Sequence, residues 1–171
     1  FNQTEQYKYA KPGRWNDPDM LVVGKVGWGP SLRNSRLQVN EQYSHISLWS
    51  LLAAPLLIGC DMSQLDDFTL GLLKNAEVID INQDVLGKQA KRVINTPDYQ
   101  VWVRELENGA KAVGIFNMST VRKDISVSFN DLQLSGSKTI RDVWRQKDLG
   151  SFNDTFKTSV APHGVTFVKF Y

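Results

Sequence analysis

The sequence predicts an α/β segment of parallel-sheet or barrel type followed by an antiparallel β-sandwich. Three observations carry this expectation. Up to about Asn82, short apolar runs alternate with stretches of helical periodicity. From about Lys91 the apolar period changes to two, and turn residues then separate short strands at near-even spacing. The change near residues 83–92 is the expected domain boundary, giving parts 1–90 and 91–171.

In chain order, Met20 to Val23 reads as a short buried strand, followed by a loop rich in Gly and Trp from Gly24 to Pro30. Gln42 to Ala54 reads as a helix, because Ile46, Trp49 and Ala53 recur at three- and four-residue spacing and Pro55 stops it. Leu56 to Ile58 reads as a second strand. A second helix is expected from Ser63, whose hydroxyl caps open amides with Asp66 answering three residues on, and whose buried face carries Leu65, Phe68, Leu72 and Leu73. Asn75 is placed to cap a third, short helix carrying Val78, Ile79 and Asn82. In the second half, Tyr99 to Arg104 and Ala110 to Phe116 flank Glu107-Asn108-Gly109, a strong hairpin signal. Strands are expected at Ile125 to Phe129, Thr139 to Trp144, Asp154 to Ser159 and Val165 to Tyr171, with turns at Asn130-Asp131, Ser135-Gly136, Asp148 to Ser151 and Pro162-His163-Gly164. About two strands in the first half cannot close a barrel or cover a sheet on both faces, so that half requires completion by an upstream segment or a partner chain.

Composition excludes several function classes. The 171 residues are 42% hydrophobic and 22% charged, ordinary globular usage. A net charge of +2 with no basic run argues against a nucleic-acid partner or a polybasic membrane patch. The longest apolar stretch, Leu48 to Cys60, is interrupted by Ser50, Pro55 and Gly59 and is too short to span a bilayer. Cys60 is the only cysteine, which excludes internal disulfides and cysteine-built metal sites. No phosphate loop, nucleophile elbow or metal-ligand spacing occurs, and no cofactor is expected. The compartment is unknown from the sequence; secreted and periplasmic locations are among those it allows.

The residues that carry chemistry cluster in Trp15-Asn16-Asp17-Pro18-Asp19-Met20, two carboxylates two positions apart beside a large aromatic. In an extended segment Asp17 and Asp19 share a face, and Pro18 keeps Asp17 out of the helical region. Carboxylates beside an aromatic surface suit a sugar, whose hydroxyls donate to the carboxylates while its C–H faces lie on the ring. The alternative is that both aspartates satisfy loop amides. Trp28 and Trp49 are further candidates to stack on sugar, with core packing the better reading for Trp49. His45 and His163 read as structural. Asn2-Gln3-Thr4, Asn117-Met118-Ser119 and Asn153-Asp154-Thr155 match the glycosylation sequon and are taken as chance.

Three landmarks define a resemblance: Trp15-Asn16-Asp17-Pro18-Asp19-Met20-Leu21, then Ala53-Ala54-Pro55-Leu56, then Ile81-Asn82-Gln83-Asp84 running into Leu86-Gly87-Lys88-Gln89. In content, order and distance they resemble glycoside hydrolase family 27, the α-galactosidases and α-N-acetylgalactosaminidases. Val143-Trp144, Lys147-Asp148-Leu149-Gly150 and Pro162-His163-Gly164-Val165 are similar to that family's C-terminal β-domain. The resemblance implies that residues 1–90 are the C-terminal part of a catalytic (β/α)8 barrel and 91–171 an antiparallel β-sandwich. It implies hydrolysis of terminal α-galactosyl linkages with retention by two aspartates, which in the family lie on earlier barrel strands. Neither has a matching position here, so no catalytic residue is assigned to this chain. The implied substrate-binding residues are Asp19, as acceptor of sugar hydroxyls, and Met20, as an apolar wall, with Asp17 and Trp15 in support. Cys60 and Asp61 follow the last strand and are placed to approach the site, although a helix cap is the preferred role of Asp61. The implied partners are an α-galactoside and the upstream barrel segment. A non-catalytic carbohydrate-binding or scaffolding protein is the other reading, and it needs exposed aromatics on one face of the sandwich, with Trp102 and Trp144 as the candidates.

Overall fold

The computed structural model describes residue 1 and residues 4–171, so Asn2 and Gln3 of the first sequon lie outside the described residues. The first half holds little regular sheet. β1 (Lys25–Val26), in the Gly/Trp loop, and β2 (Arg33–Asn34), just beyond it, form a two-residue antiparallel ladder. The strands expected at Met20–Val23 and Leu56–Ile58 meet at one parallel bridge between Leu21 and Ile58. Leu21 donates to Leu57 O at 2.7 Å and accepts from Gly59 N at 3.1 Å. The ladder stops there because Val22 spends its backbone on side chains: its N–H goes to His45 Nε2 and its carbonyl accepts from Ser35 Oγ.

The three helices follow the expected order with shifted ends. α1 (Val39–Leu51) starts three residues before the expected position because Glu41 reaches back to the Gln38 amide at 2.7 Å. It ends at Leu51, since Ala53 adopts φ 52 and the amides of Ala53 and Ala54 close on Ser50 and Trp49 carbonyls. Ser63 is not the cap of the second helix. Asp61 binds both the amide and the hydroxyl of Ser63, at 2.9 and 2.6 Å, which draws Met62–Gln64 into a separate 3₁₀ turn. Asp66 therefore caps α2 (Asp67–Lys74), accepting from Thr69 N at 2.7 Å. Asn75 caps α3 (Ala76–Asn82) as expected, accepting from Val78 N at 3.1 Å.

The second half is wholly antiparallel. β3 (Lys91–Asn95), β4 (Tyr99–Glu105), β5 (Lys111–Asn117), β6 (Lys123–Ser128), β7 (Lys138–Asp142), β8 (Lys147–Phe152), β9 (Thr155–Val160) and β10 (Val165–Phe170) form a six-stranded sheet of order β3-β4-β5-β10-β7-β8 and a β6-β9 pair. The hairpin read from Glu107-Asn108-Gly109 pairs β4 with β5 in register from Tyr99–Asn117 to Glu105–Lys111. Two expectations are corrected. The strand expected to reach Trp144 ends at Asp142, with residues 143–146 forming the turn, and Asp148–Ser151, expected as a turn, lie in the edge strand β8.

The central strands of the six-stranded sheet, β4, β5 and β10, are buried on both faces. Val101, Val103, Val113, Ile115 and Val168 meet Ile125, Val127 and Phe156 of the β6-β9 pair. On the alternate positions, Trp102, Ala112, Phe116 and Phe167 share one core with Leu48, Leu51, Leu52, Val78 and Ile81 of the helices and with Leu21 and Val23. The chain is thus part of a barrel, strand segments and helices, continuous with an antiparallel sandwich. Arg104, with no exposed surface, crosses that shared core and donates Nη1 to Ser50 O at 2.6 Å and Asn82 O at 3.2 Å, at the C-terminal ends of α1 and α3.

Candidate functional site

The three landmarks that stand apart in sequence interlock in space. Trp15 packs against Gly87, where φ is +62 and a Cβ would lie 2.8 Å from the indole edge, so the glycine is required on both counts. Asn16 Nδ2 donates to Gln89 Oε1 and to Gln6 O, each at 2.7 Å. Asn82 Nδ2 donates to Ala54 O at 2.9 Å and Trp49 O at 3.4 Å. The first and second landmarks are therefore each tied to the third, and the tied segment is the one that carries the two conspicuous aspartates.

Asp17 and Asp19 do not share the face of an extended strand. Asp19 has φ 78, a left-handed conformation that Asp tolerates through local hydrogen bonding. Asp17 Oδ1 accepts from the Asp19 amide at 2.9 Å, and Asp19 Oδ1 accepts from the Met20 amide at 2.7 Å. Each carboxylate thus satisfies a loop amide with one oxygen, and the other oxygen has no protein donor among the described residues. Trp49, half-buried in the core, donates Nε1 to Asp19 O at 2.9 Å and fixes the turn from beneath. Its ring centroid stands 4.0 Å from that of His45, which accepts from Val22 N. Burial holds His45 down to about 4, and with Nε2 accepting, its proton sits on Nδ1.

The Asp19 turn leads directly into a cleft of about 600 Å³ lined by Met20, Val22, Trp28, Ile58, Cys60 and Asp61 among others. Met20 lies in that lining, whereas Asp17, Asp19 and Trp15 do not; the aspartates sit exposed in the turn just before it. Asp61 caps the 3₁₀ turn and lines the cleft as well. The hydroxyl and amide of Ser63, then Gln64 and the charge of Lys25, hold its carboxyl below the usual range. Burial pushes the Cys60 thiol up, with the Asp61 charge adding to it, which leaves a neutral thiol at the cleft wall. Among the described residues, no group of three or more His, Cys, Asp or Glu is placed to hold a metal ion, and no helix is long and apolar enough to cross a membrane.

Sequence reasoning passed over the residues that hold this site in place. Gln42 accepts from Gly24 N and donates to Leu37 O, and Ser35 and His45 hold Val22. They carry no motif; for Gln42 and His45 the position on the inner side of α1 is the available signal, and Ser35, in the bend before the helix, gives none. The sandwich tryptophans offer no sugar platform. Trp102 is fully buried, and Trp144 packs edge-on to Tyr43 at 4.8 Å and donates to Ser47 Oγ at 2.8 Å. Asn117 of the second sequon is 2% exposed and donates to the carbonyls of Val121, Val160 and Ala161, which leaves no access for a glycan.

Two family descriptions match the chain, "Alpha galactosidase A" over residues 1–84 and "Alpha galactosidase C-terminal beta sandwich domain" over residues 96–170. The chain belongs to glycoside hydrolase family 27. It is 40% identical over 157 residues to an alpha-galactosidase of Cyamopsis tetragonoloba, covering 91% of this chain and 36% of that protein. An alpha-galactosidase of Oryza sativa subsp. japonica is likewise 40% identical over 157 residues, covering 91% and 35%. Among solved structures, alpha-galactosidase I from Mortierella vinacea superposes with a TM-score of 0.90 at 30% identity, over 98% of this chain and 42% of that one. A family 27 β-L-arabinopyranosidase from Geobacillus stearothermophilus superposes with a TM-score of 0.91 at 32% identity, over 98% and 39%. The chain spans about a third of the length of the sequence relatives it matches.

Proposed function

We propose that this chain is the C-terminal part of a retaining glycoside hydrolase that removes terminal α-galactosyl residues, with both catalytic aspartates supplied by barrel strands upstream of it. Residues 1–90 are then the last part of the catalytic barrel and residues 91–171 the sandwich. The observation that carries this reading is the unclosed apolar side of the first half. Val22, Leu57 and Ile58 are each more than 40% exposed at the two strand segments, where further parallel strands would cover them. A retaining pair must stand about 5–5.5 Å apart across one sugar. Asp17 and Asp19 lie two positions apart in one turn, each bound to a nearby amide, an arrangement that suits gripping rather than attack.

In the assembled enzyme, Asp19 accepts hydroxyls of the terminal sugar through its remaining oxygen and Met20 forms the apolar wall. Asp17 holds the Asp19 turn and Trp15 anchors its approach through Gly87. The partners are an α-galactoside and the upstream barrel segment. The test is hydrolysis of a chromogenic α-galactoside by this chain and by the full-length protein in parallel. Turnover by the full-length protein alone supports the reading. Turnover by the 171-residue chain alone sinks it and makes Asp17 and Asp19 the first residues to substitute.

A further inference from the structure

The three landmarks converge on one residue that none of them contains. Trp49 Nε1 donates to Asp19 O at 2.9 Å, and the Trp49 carbonyl accepts from Ala54 N at 3.1 Å and from Asn82 Nδ2 at 3.4 Å. Trp49 sits in the last turn of α1, where a half-buried aromatic against the shared core passes for packing alone. One turn earlier, at the four-residue spacing that puts two side chains on one face of a helix, His45 Nε2 accepts from Val22 N at 3.1 Å. The two rings brace each other, with centroids 4.0 Å apart. α1 therefore clamps the chain at two points, one on each side of Met20.

The clamp matters because the Asp19 turn cannot place itself. Asp19 has φ 78, a conformation that is costly for a residue other than glycine and persists where the surroundings over-determine it. The bonds from Asp19 N to Asp17 Oδ1 and from Met20 N to Asp19 Oδ1 shape the turn internally and tie it to no other element. Among the described residues, the indole N–H of Trp49 is the only hydrogen-bonding group that joins residues 17–20 to the rest of the chain. Without that bond the turn keeps its local shape and loses its fixed place.

We propose that Trp49 is a positioning residue for the sugar, its indole N–H fixing the Asp19 carboxylate where hydroxyls of the terminal α-galactosyl unit reach it. The proposal rests on the functional reading above, in which Asp19 accepts those hydroxyls. Trp49 acts through Asp19 and needs no contact with the sugar, so a side chain packed in the core serves the binding site. His45 completes the clamp by holding Val22, and Asp19 and Met20 are presented as a unit.

The test is a double-mutant cycle on the full-length protein, read as kcat/KM for a chromogenic α-galactoside. Trp49 is replaced by benzothienylalanine, an isostere in which sulfur takes the place of the indole N–H while the packing against His45 and the core is kept. Trp49→Phe is the genetically encoded counterpart. Either replacement should lower kcat/KM about five- to tenfold, the worth of one hydrogen bond, and the loss should vanish in the Asp19→Ala background, where no carboxylate remains to be placed. Unchanged kcat/KM in the Trp49 variants overturns the proposal. An equal loss with and without the Asp19 carboxylate also overturns it, because Trp49 then acts on the fold and not through Asp19. If Asp19→Ala leaves hydrolysis intact, or wild type hydrolyses no α-galactoside, the functional reading is what fails, and the positioning role falls with it.

Discussion

Acidification should loosen this protein through the partly buried His45 before its carboxylates titrate. His45 lies on α1 with Nε2 committed to the Val22 amide, and burial holds it down to about 4 against an ordinary value of 6.5. A base whose folded pKa is depressed resists protonation when folded, so the unfolded chain binds the proton first. The contribution is intact above about pH 6.5, is lost as pH falls toward 4, and is fully lost below that. Between about pH 7 and about pH 5 the two values give a loss of about 2 kcal/mol. Protonating Nε2 also removes the acceptor for Val22, on the segment that leads from Met20 into the cleft wall. Urea unfolding across that pH range, on wild type and on His45→Gln, whose amide oxygen can still accept from Val22, is the assay. Wild type should lose about 2 kcal/mol more than the variant over the interval. Asp61, Asp66, Asp148 and Glu105 are all held below their ordinary values and lose their contributions only at lower pH, so they do not blur the window. Parallel curves for the two proteins would refute the reasoning.

Substitutions at Arg104 and Gly114 probe the join between the halves. Arg104→Ala should cost about 4 kcal/mol in urea unfolding and Arg104→Met no more than about 2, since methionine fills the volume without the desolvation that holds the buried guanidinium down to about 10; equal losses would refute the account. Gly114→Val should lower the melting temperature measured by calorimetry, at a cost of about 1–3 kcal/mol, because a Cβ there meets Leu51 Cδ1 and Phe116 Cε2 at 2.6 Å. Adding Leu51→Ala should recover part of that loss, so strictly additive losses would count against the clash.

What was legible in the sequence was whatever the chain encodes locally. Asn75 announces a helix start, Asn108-Gly109 announces a hairpin, and the period-two strands whose alternate residues enter the sandwich core lie within a few residues of their expected places, whereas the second helix starts at Asp66 and not at Ser63. The strands that escaped have no buried face to advertise. β8 runs Lys147–Phe152 with five of its six residues exposed, so it reads as a polar turn, and β3 alternates only weakly at the sheet edge. At the candidate site the sequence located the Asp17–Met20 segment but misjudged its shape. Pro18 argues for extension, yet Asp19 turns left-handed because Trp49, His45 and Ser35, all remote in sequence or on another element, dictate where the neighbouring backbone groups go. Exposure of Trp28 could not be read at all, since a Gly-rich loop rich in aromatics is compatible with a buried or a presented indole.

The shared wall formed by the six-stranded sheet bears on how this protein could be recombined. A crossover placed in the linker near residues 83–90, the natural seam by sequence, would part Arg104 from the carbonyls of Ser50 and Asn82 and strand a cation in the join. It would also unseat Trp102 and Phe167 from the helices they share a core with. A chimera that exchanges the sandwich for a homologue's therefore has to carry the carboxyl ends of α1 and α3 with it, so the heritable unit of exchange is larger than the β-domain that a boundary drawn on sequence would suggest.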